Sequence, residues 1–223
     1  MKMMPKIYKQ MIPFFRAHGF TKQRNYFYKI ENEIAFCVLF ERPSDLVYVK
    51  CYIIPLFVPA EMHYLNYGNR LRYMNHVHLP QLTGKNTDQD LLDWCGRVQH
   101  VLETDVFPFY EEISTPARLL HYISISIHDR FGFFHREDYD TLRLQIFTEL
   151  YLRKFDEFER LAVLYMDAVR SSTLIPSLKE QCANEMMDLR EKIGRGEAYM
   201  DEYFRQVCSH TREVCFQLND SVT

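Results

Sequence analysis

Apolar residues first recur at helical spacing and then change to strand-like runs. Ile7, Met11, Phe14 and Phe15 share one face of a helix over residues 4–17, and Gly19 is a natural stop for it. Pro13 lacks an amide hydrogen, so a kinked or two-part helix is expected. Tyr26 to Ile30 and Ile34 to Phe40 read as two strands joined by a turn at Glu31, Asn32 and Glu33. Every position from Ile34 to Phe40 except the last is followed by another apolar residue, the pattern of a central strand covered on both sides. After a turn at Pro43-Ser44-Asp45, Leu46 to Val58 forms a third strand, in which Pro55 predicts a bulge or an edge position.

Residues 60–86 carry no clear period. Tyr64 to Met74 fits a further strand or a short helix, and Pro80, Gly84 and Asn86 mark a loop. Thr87-Asp88-Gln89-Asp90 then resembles a capping box with Asp in place of Glu. Leu91, Leu92, Cys95, Val98, Leu102 and Val106 follow at helical spacing and predict a helix over 88–107. Ser114-Thr115-Pro116 opens a short helix. Beyond residue 136 the spacing predicts four helices: an amphipathic one from Tyr139 to Arg153, one striped by Phe155, Phe158, Leu161, Ala162, Tyr165 and Val169, one from Pro176 to Ile193, and one from Tyr199 to Leu218. Short connections imply antiparallel packing. The expectation is an α+β fold: a helix and an antiparallel sheet of three or more strands in residues 1–131, with a helical region, residues 132–223, packed on it.

Composition supports a packed core. Hydrophobic residues make up 47% of the 223 positions, with 17 Phe and 15 Tyr. The net charge of −3 is no polycation's. It is uneven, however: the first thirty residues hold seven Lys and Arg and no acid, so the remainder carries −10. Such a division fits attraction within the fold or a site for an anionic partner, and the internal explanation is favoured. Six cysteines form no CxxC pair, and Cys37 and Cys51 lie in apolar runs. A reducing cytoplasm is expected, with no signal-peptide core and no membrane span. Asn219-Asp220-Ser221 is a glycosylation sequon only by chance on that reading.

No phosphate-binding loop, dinucleotide fingerprint, nucleophile elbow or HExxH is present, so no cofactor is expected. Three constellations remain. His76 and His78, two apart, can meet one metal if they lie on a strand, with His63 or a carboxylate completing the set; two loop histidines are the blander account. His128, Asp129 and His135 place acid and base around the apolar Phe131-Gly132-Phe133-Phe134; a polar turn entering a helix, with Glu137 and Asp138 at its start, is the blander account. Lys22, Arg24, Tyr26 and Tyr28 interleave cations and aromatics as in single-strand binders. Strand alternation sends Phe27 to the face opposite Tyr26 and Tyr28, so much of that segment belongs to the core, and nucleic acid is disfavoured.

His18-Gly19-Phe20 with Lys22, Arg24 and Phe27, then Phe107-Pro108-Phe109-Tyr110 and Thr115-Pro116-Ala117-Arg118-Leu119-Leu120, form an order of features that resembles the bacterial family known as domain of unknown function 4304, over roughly residues 5–125. That resemblance implies no activity and no catalytic residue. The resulting expectation is a cytoplasmic, non-catalytic binding or protein-interaction module, with a protein partner favoured and a homo-oligomer left open. The alternatives are a metal-assisted hydrolase using the histidines and Asp129, and nucleic-acid binding through the first thirty residues.

Overall fold

The computed structural model describes residues 3–63, 67–73, 78–125, 131–135 and 138–216. The leading helix, α1 (Met3–Ala17), turns Met3, Ile7, Met11 and Phe15 inward. It runs through Pro13 as one element. Lys9 and Pro13 are both exposed, so the carbonyl deprived of a donor is open to water. The helix ends in a Schellman arrangement: Gly19 takes φ +79°, and the Phe20 and Gly19 amides donate to the Phe15 and Arg16 carbonyls. Phe20 then packs on Phe15 at 5.5 Å between ring centroids, the hydrophobic contact that accompanies this cap.

Five antiparallel strands follow in sequential order: β1 (Thr21–Gln23), β2 (Tyr26–Glu31), β3 (Ile34–Glu41), β4 (Tyr48–Pro55) and β5 (Tyr67–Arg70). β1 is a short edge strand, and β5 occupies part of the stretch whose period was indistinct. Asn32 and Glu33 both adopt left-handed φ, as a two-residue hairpin turn requires. Pro55 pairs with Ile34 on one side, while β5 pairing stops at Ile53, so Pro55 sits at a local edge.

β3 is buried from Ile34 to Phe40. Phe27, Phe36, Val38, Phe40, Val49 and Ile53 face the main core. Tyr26, Ala35, Cys37, Leu39, Tyr52 and Ile54 face the opposite way, against Cys215 and Phe216.

The helices are α2 (Asp88–Val101), α3 (Phe107–Glu112), α4 (Pro116–Ile125), α5 (Tyr139–Tyr151), α6 (Phe158–Ser171), α7 (Pro176–Gly194) and α8 (Glu197–Phe216). Thr87 and Asp90 form the capping box of α2. α2 passes through a π-helical turn, Leu102–Val106, directly into α3. Pro108 thereby falls in the first turn of α3, where its missing donor does least harm. The amphipathic reading of residues 139–153 is corrected. α5 buries Leu142, Leu144, Ile146, Phe147 and Leu150 together with Thr148 and Glu149, because α4, α6 and α8 all pack on it. α8 contributes Met200 and Phe204 to the main core, passes Val58, whose carbonyl accepts from the Thr211 hydroxyl at 3.2 Å, and ends over the far sheet face. One buried cluster runs from Met3 to Phe204, so sheet and later helices share a core. Among the described residues no helix is long and apolar enough to cross a membrane.

Gly68 marks the tightest backbone approach. A Cβ there would lie 2.2 Å from the Tyr52 Cβ and 2.3 Å from the Cys51 carbonyl oxygen. Gly68→Ala is expected to cost about 2–3 kcal/mol or more by forcing β5 off β4. A urea midpoint equal to that of the unmodified chain would show that this pairing is slack.

Candidate functional site

β5 ends at Arg70 and continues into a 3₁₀ turn, Leu71–Tyr73. Leu71 is fully buried and anchors that turn, with Arg70 and Arg72 on either side of it. The Arg70 guanidinium lies 4.4 Å from the Tyr48 ring centroid and that of Arg72 lies 5.5 Å from it. Arg70 Nε also donates to Glu41 Oε1 at 2.7 Å. Its direct partner across the sheet is Lys50. Two cations opposite one another destabilise a strand pair. Burial, and secondarily Arg70, hold the Lys50 ammonium below its usual range, against the pull of Glu41.

Tyr48 also lines a cleft of about 420 Å³. One wall is the stretch Leu46 to Val49, a second is the turn carrying Leu71 and Arg72, a third is residues 78–81, and the fourth is α2 through Trp94 and Arg97. The Trp94 indole N–H donates to the Pro80 carbonyl at 3.1 Å, and the Val47 amide donates to the Leu82 carbonyl at 3.0 Å. The loop is therefore fixed to both the sheet and α2. Trp94 and Arg97, three apart, share a helix face: the indole is buried and the guanidinium is exposed at the rim.

The charge pattern separates this cleft from two others. A cleft of about 620 Å³ beside α8 holds Arg153, Arg205 and Arg212, but Arg153 pairs with Asp201 at 2.7 Å, Arg212 with Glu33 at 2.9 Å, and Arg205 with Glu202. A smaller one, about 140 Å³, joins His18 to Phe107; there Lys29 pairs with Glu31, and His18 Nε2 lies 3.4 Å from Glu103. Among the described residues, the cleft between β4 and α2 has no carboxylate in its lining. Among the described residues Arg72 and Arg97 take part in no ion pair.

The four residues of the expected basic, aromatic surface do not form one surface. Lys22 sits opposite Phe27 in the sheet, on the side of α1, where its Nζ donates to the Arg24 carbonyl and lies 4.7 Å over the Tyr8 ring. Arg24 is exposed in the β1–β2 turn at φ +49°. Tyr26 is buried on the other face, its hydroxyl donating to Gln23 Oε1 and to the Cys215 carbonyl. Tyr28 packs against Phe216, ring centroids 4.7 Å apart. The period of two separates cations from aromatics, and the end of α8 covers the aromatic side.

Of the paired histidines, His76 lies outside the described residues, while His78 is exposed at the cleft. His63 is not near it: its Nδ1 donates to the Cys215 carbonyl at 3.1 Å, leaving Nε2 to accept from the Tyr52 hydroxyl at 2.8 Å. Among the described residues no three His, Cys, Asp or Glu are grouped as metal ligands. His128 and Asp129 lie outside the described residues. His135 is exposed ahead of α5, whose N-cap is Asp138, and its backbone amide donates to Thr141 Oγ1. Phe131, Phe133 and Phe134 are core rather than pocket wall, packed with Phe109 and Tyr122. Burial pushes the thiol of Cys95 up to about 11 and that of Cys208 up to about 12, values that keep them as unreactive thiols.

Tyr48, Arg72, Trp94 and Arg97 were missed in the sequence. Their signals were the alternation Arg70-Leu71-Arg72 beside a tyrosine and the Trp94 to Arg97 spacing, split between a stretch without clear period and a helix. Comparison with protein-family models, curated proteins and solved structures finds no match for this chain.

The Tyr26, Tyr52, His63 and Cys215 contacts fasten α8 to the sheet, and they carry a pH dependence. Burial lowers the His63 pKa from 6.5, partly offset by the Cys215 carbonyl. The unfolded chain therefore takes the proton first, so this contribution is complete above about 6.5 and is lost as pH falls through the folded value. Urea midpoints at pH 7.5 and 5 should differ more for the unmodified chain than for His63→Phe. Equal differences would mean that the imidazole does not titrate against the latch. Tyr52→Phe should cost about 1 kcal/mol at pH 7.5.

Proposed function

We propose that this chain is a non-catalytic binding protein whose ligand site is the cleft between β4, the turn after β5 and α2, and that the ligand is anionic. The observation that carries this reading is the pair of guanidinium groups, Arg72 and Arg97, on a cleft lined, among the described residues, by no carboxylate. Guanidinium groups are always charged, and their planar forks favour carboxylate or phosphate oxygens. Six free thiols, three of them in the sheet and α2, support a reducing, cytoplasmic setting.

The expected result at low ionic strength is that pyrophosphate raises the melting temperature by about 2–4 °C at ten times its Kd. Sodium chloride at the same ionic strength should not. Combined Arg72→Ala and Arg97→Ala substitutions should abolish the rise without changing the melting temperature of the ligand-free chain by more than about 2 °C, since both side chains are exposed. An undiminished rise in that double variant would move the anion site elsewhere.

A protein contact is a second reading, supported by Val163 and Met187, 60% and 57% exposed, which line one groove between α6 and α7. Its homo-oligomeric form predicts a concentration-dependent sedimentation coefficient that Met187→Glu removes; a monomer at all concentrations rejects that form. We further propose kinship with the domain of unknown function 4304. The residues that carry it meet in space, since Phe107 stacks on Phe20 at 5.2 Å and contacts His18 at 5.0 Å. That kinship assigns no site residue.

A further inference from the structure

We infer that the ligand of the cleft is a phosphate monoester with an apolar, planar body, an inference that rests on the anion-binding reading and narrows it. Charge comes first. Arg72 and Arg97 bring two fixed positive charges to a cleft with no carboxylate among its described lining residues, and His78 adds a nearby imidazole. A phosphate monoester carries about −1.5 to −2 at neutral pH and offers three strong acceptor oxygens, whereas a carboxylate carries one charge and two oxygens. The two arginines come from different elements, the 3₁₀ turn and α2, and a tetrahedral anion held between them would offer each guanidinium fork a separate edge. A single carboxylate cannot be shared in that way without leaving one fork half satisfied.

Size and polarity supply the rest. A volume of about 420 Å³ is within the range of small-molecule sites and is far more than an inorganic anion fills. The surface left in the surplus comes from Leu46, Tyr48, Leu79 and Pro80, half-buried or exposed, over a buried floor of Val47, Val49, Leu71 and Trp94. A bare anion would leave that surface wet, while an aromatic or aliphatic body would cover it. The cleft is also well set for a preformed fit, because Trp94 is tied to Pro80 and Val47 to Leu82. The other clefts do not offer this combination. In the one beside α8 each arginine already has a carboxylate, and in the one beside His18 the lysine is paired.

Isothermal titration at low ionic strength and pH 7.5, with phenyl phosphate, benzoate and inorganic phosphate as probes, tests the inference. Phenyl phosphate is expected to bind on the order of tenfold tighter than benzoate and than inorganic phosphate. Arg72→Ala and Arg97→Ala should each weaken phenyl phosphate by about tenfold or more, and Arg97→Lys should restore only part of the loss, since it keeps the charge without the fork. Circular dichroism of each variant confirms its folding. Benzoate equal to phenyl phosphate would overturn the phosphate assignment and leave the anion site standing. Inorganic phosphate equal to phenyl phosphate would overturn the apolar body. Binding of neither these probes nor pyrophosphate would overturn the cleft as an anion site altogether.

Discussion

β3 is buried on both of its faces from Ile34 to Phe40, so the chain must supply two separate apolar coverings for one sheet. The first is local in sequence: α1 precedes the sheet, and α2 and α3 return over it soon after. The second comes from the far end of the chain, where Cys215 and Phe216 on α8 meet Tyr26, Cys37, Leu39 and Tyr52. Covering a large side chain contributes roughly 1.5–3 kcal/mol, so neither face can be left open in a chain of ordinary stability. Polar groups then fix the positions. Tyr110 on α3 donates its hydroxyl to the Cys37 carbonyl at 2.8 Å on one side, and Tyr26 and His63 both reach the Cys215 carbonyl on the other. Each is a buried or half-buried group that would be costly to leave without a partner.

The same constraint leaves a polar margin on the sheet face opposite α2. Among the described residues, the apolar end of α8 covers the sheet from the Tyr26 side as far as Tyr52 and Ile54. The far margin of that face carries Glu41, Tyr48, Lys50 and Arg70, which are half-buried and polar. Glu41 pairs with Arg70 there and draws on Lys50 as well. A sheet optimised only for stability would place opposite charges across that pair. Tyr48, which carries Arg70 over its ring, links this margin to the cleft where Arg72 and Arg97 have no ion-pair partner among the described residues.

Periodicity made the fold legible to a considerable depth. The Gly19 stop, the Asn32-Glu33 hairpin turn, the two covered faces of β3, the Thr87 capping box and the helices from Tyr139 onward all follow from local rules that act within a few residues. What local rules did not convey was contact between distant segments. α5 reads as amphipathic because its charged positions, Arg143 and Glu149, look like a solvent face; in fact Arg143 is tied to Glu185 at 2.8 Å and to the Pro59 carbonyl. β5 was indistinct because it is four residues long, contains Gly68 and takes its register from β4 rather than from any pattern of its own. The cleft was illegible for the same reason. Tyr48, Arg72, His78 and Arg97 come from four stretches of chain, and only the pairing of β4 with β5 and the tie from Trp94 to Pro80 bring them together.

The uneven distribution of charge pointed toward the first thirty residues, and the structure shows why a segment's net charge is a poor locator of sites. Lys6 pairs with Asp88 at the start of α2, Lys29 with Glu31 on its own strand, and Lys22 lies over Tyr8 while donating to the Arg24 carbonyl. Those cations have local partners, and at a surface screened within about 8–10 Å they project little beyond them. Arg72 and Arg97 belong to the acidic remainder of the chain, yet neither has an anion at hand among the described residues. A ligand in the cleft would feel their fields at hydrogen-bonding distance, where screening is weakest. The sum of charges over a segment averages away the quantity that matters for recognition, which is the charge left without a partner at one place.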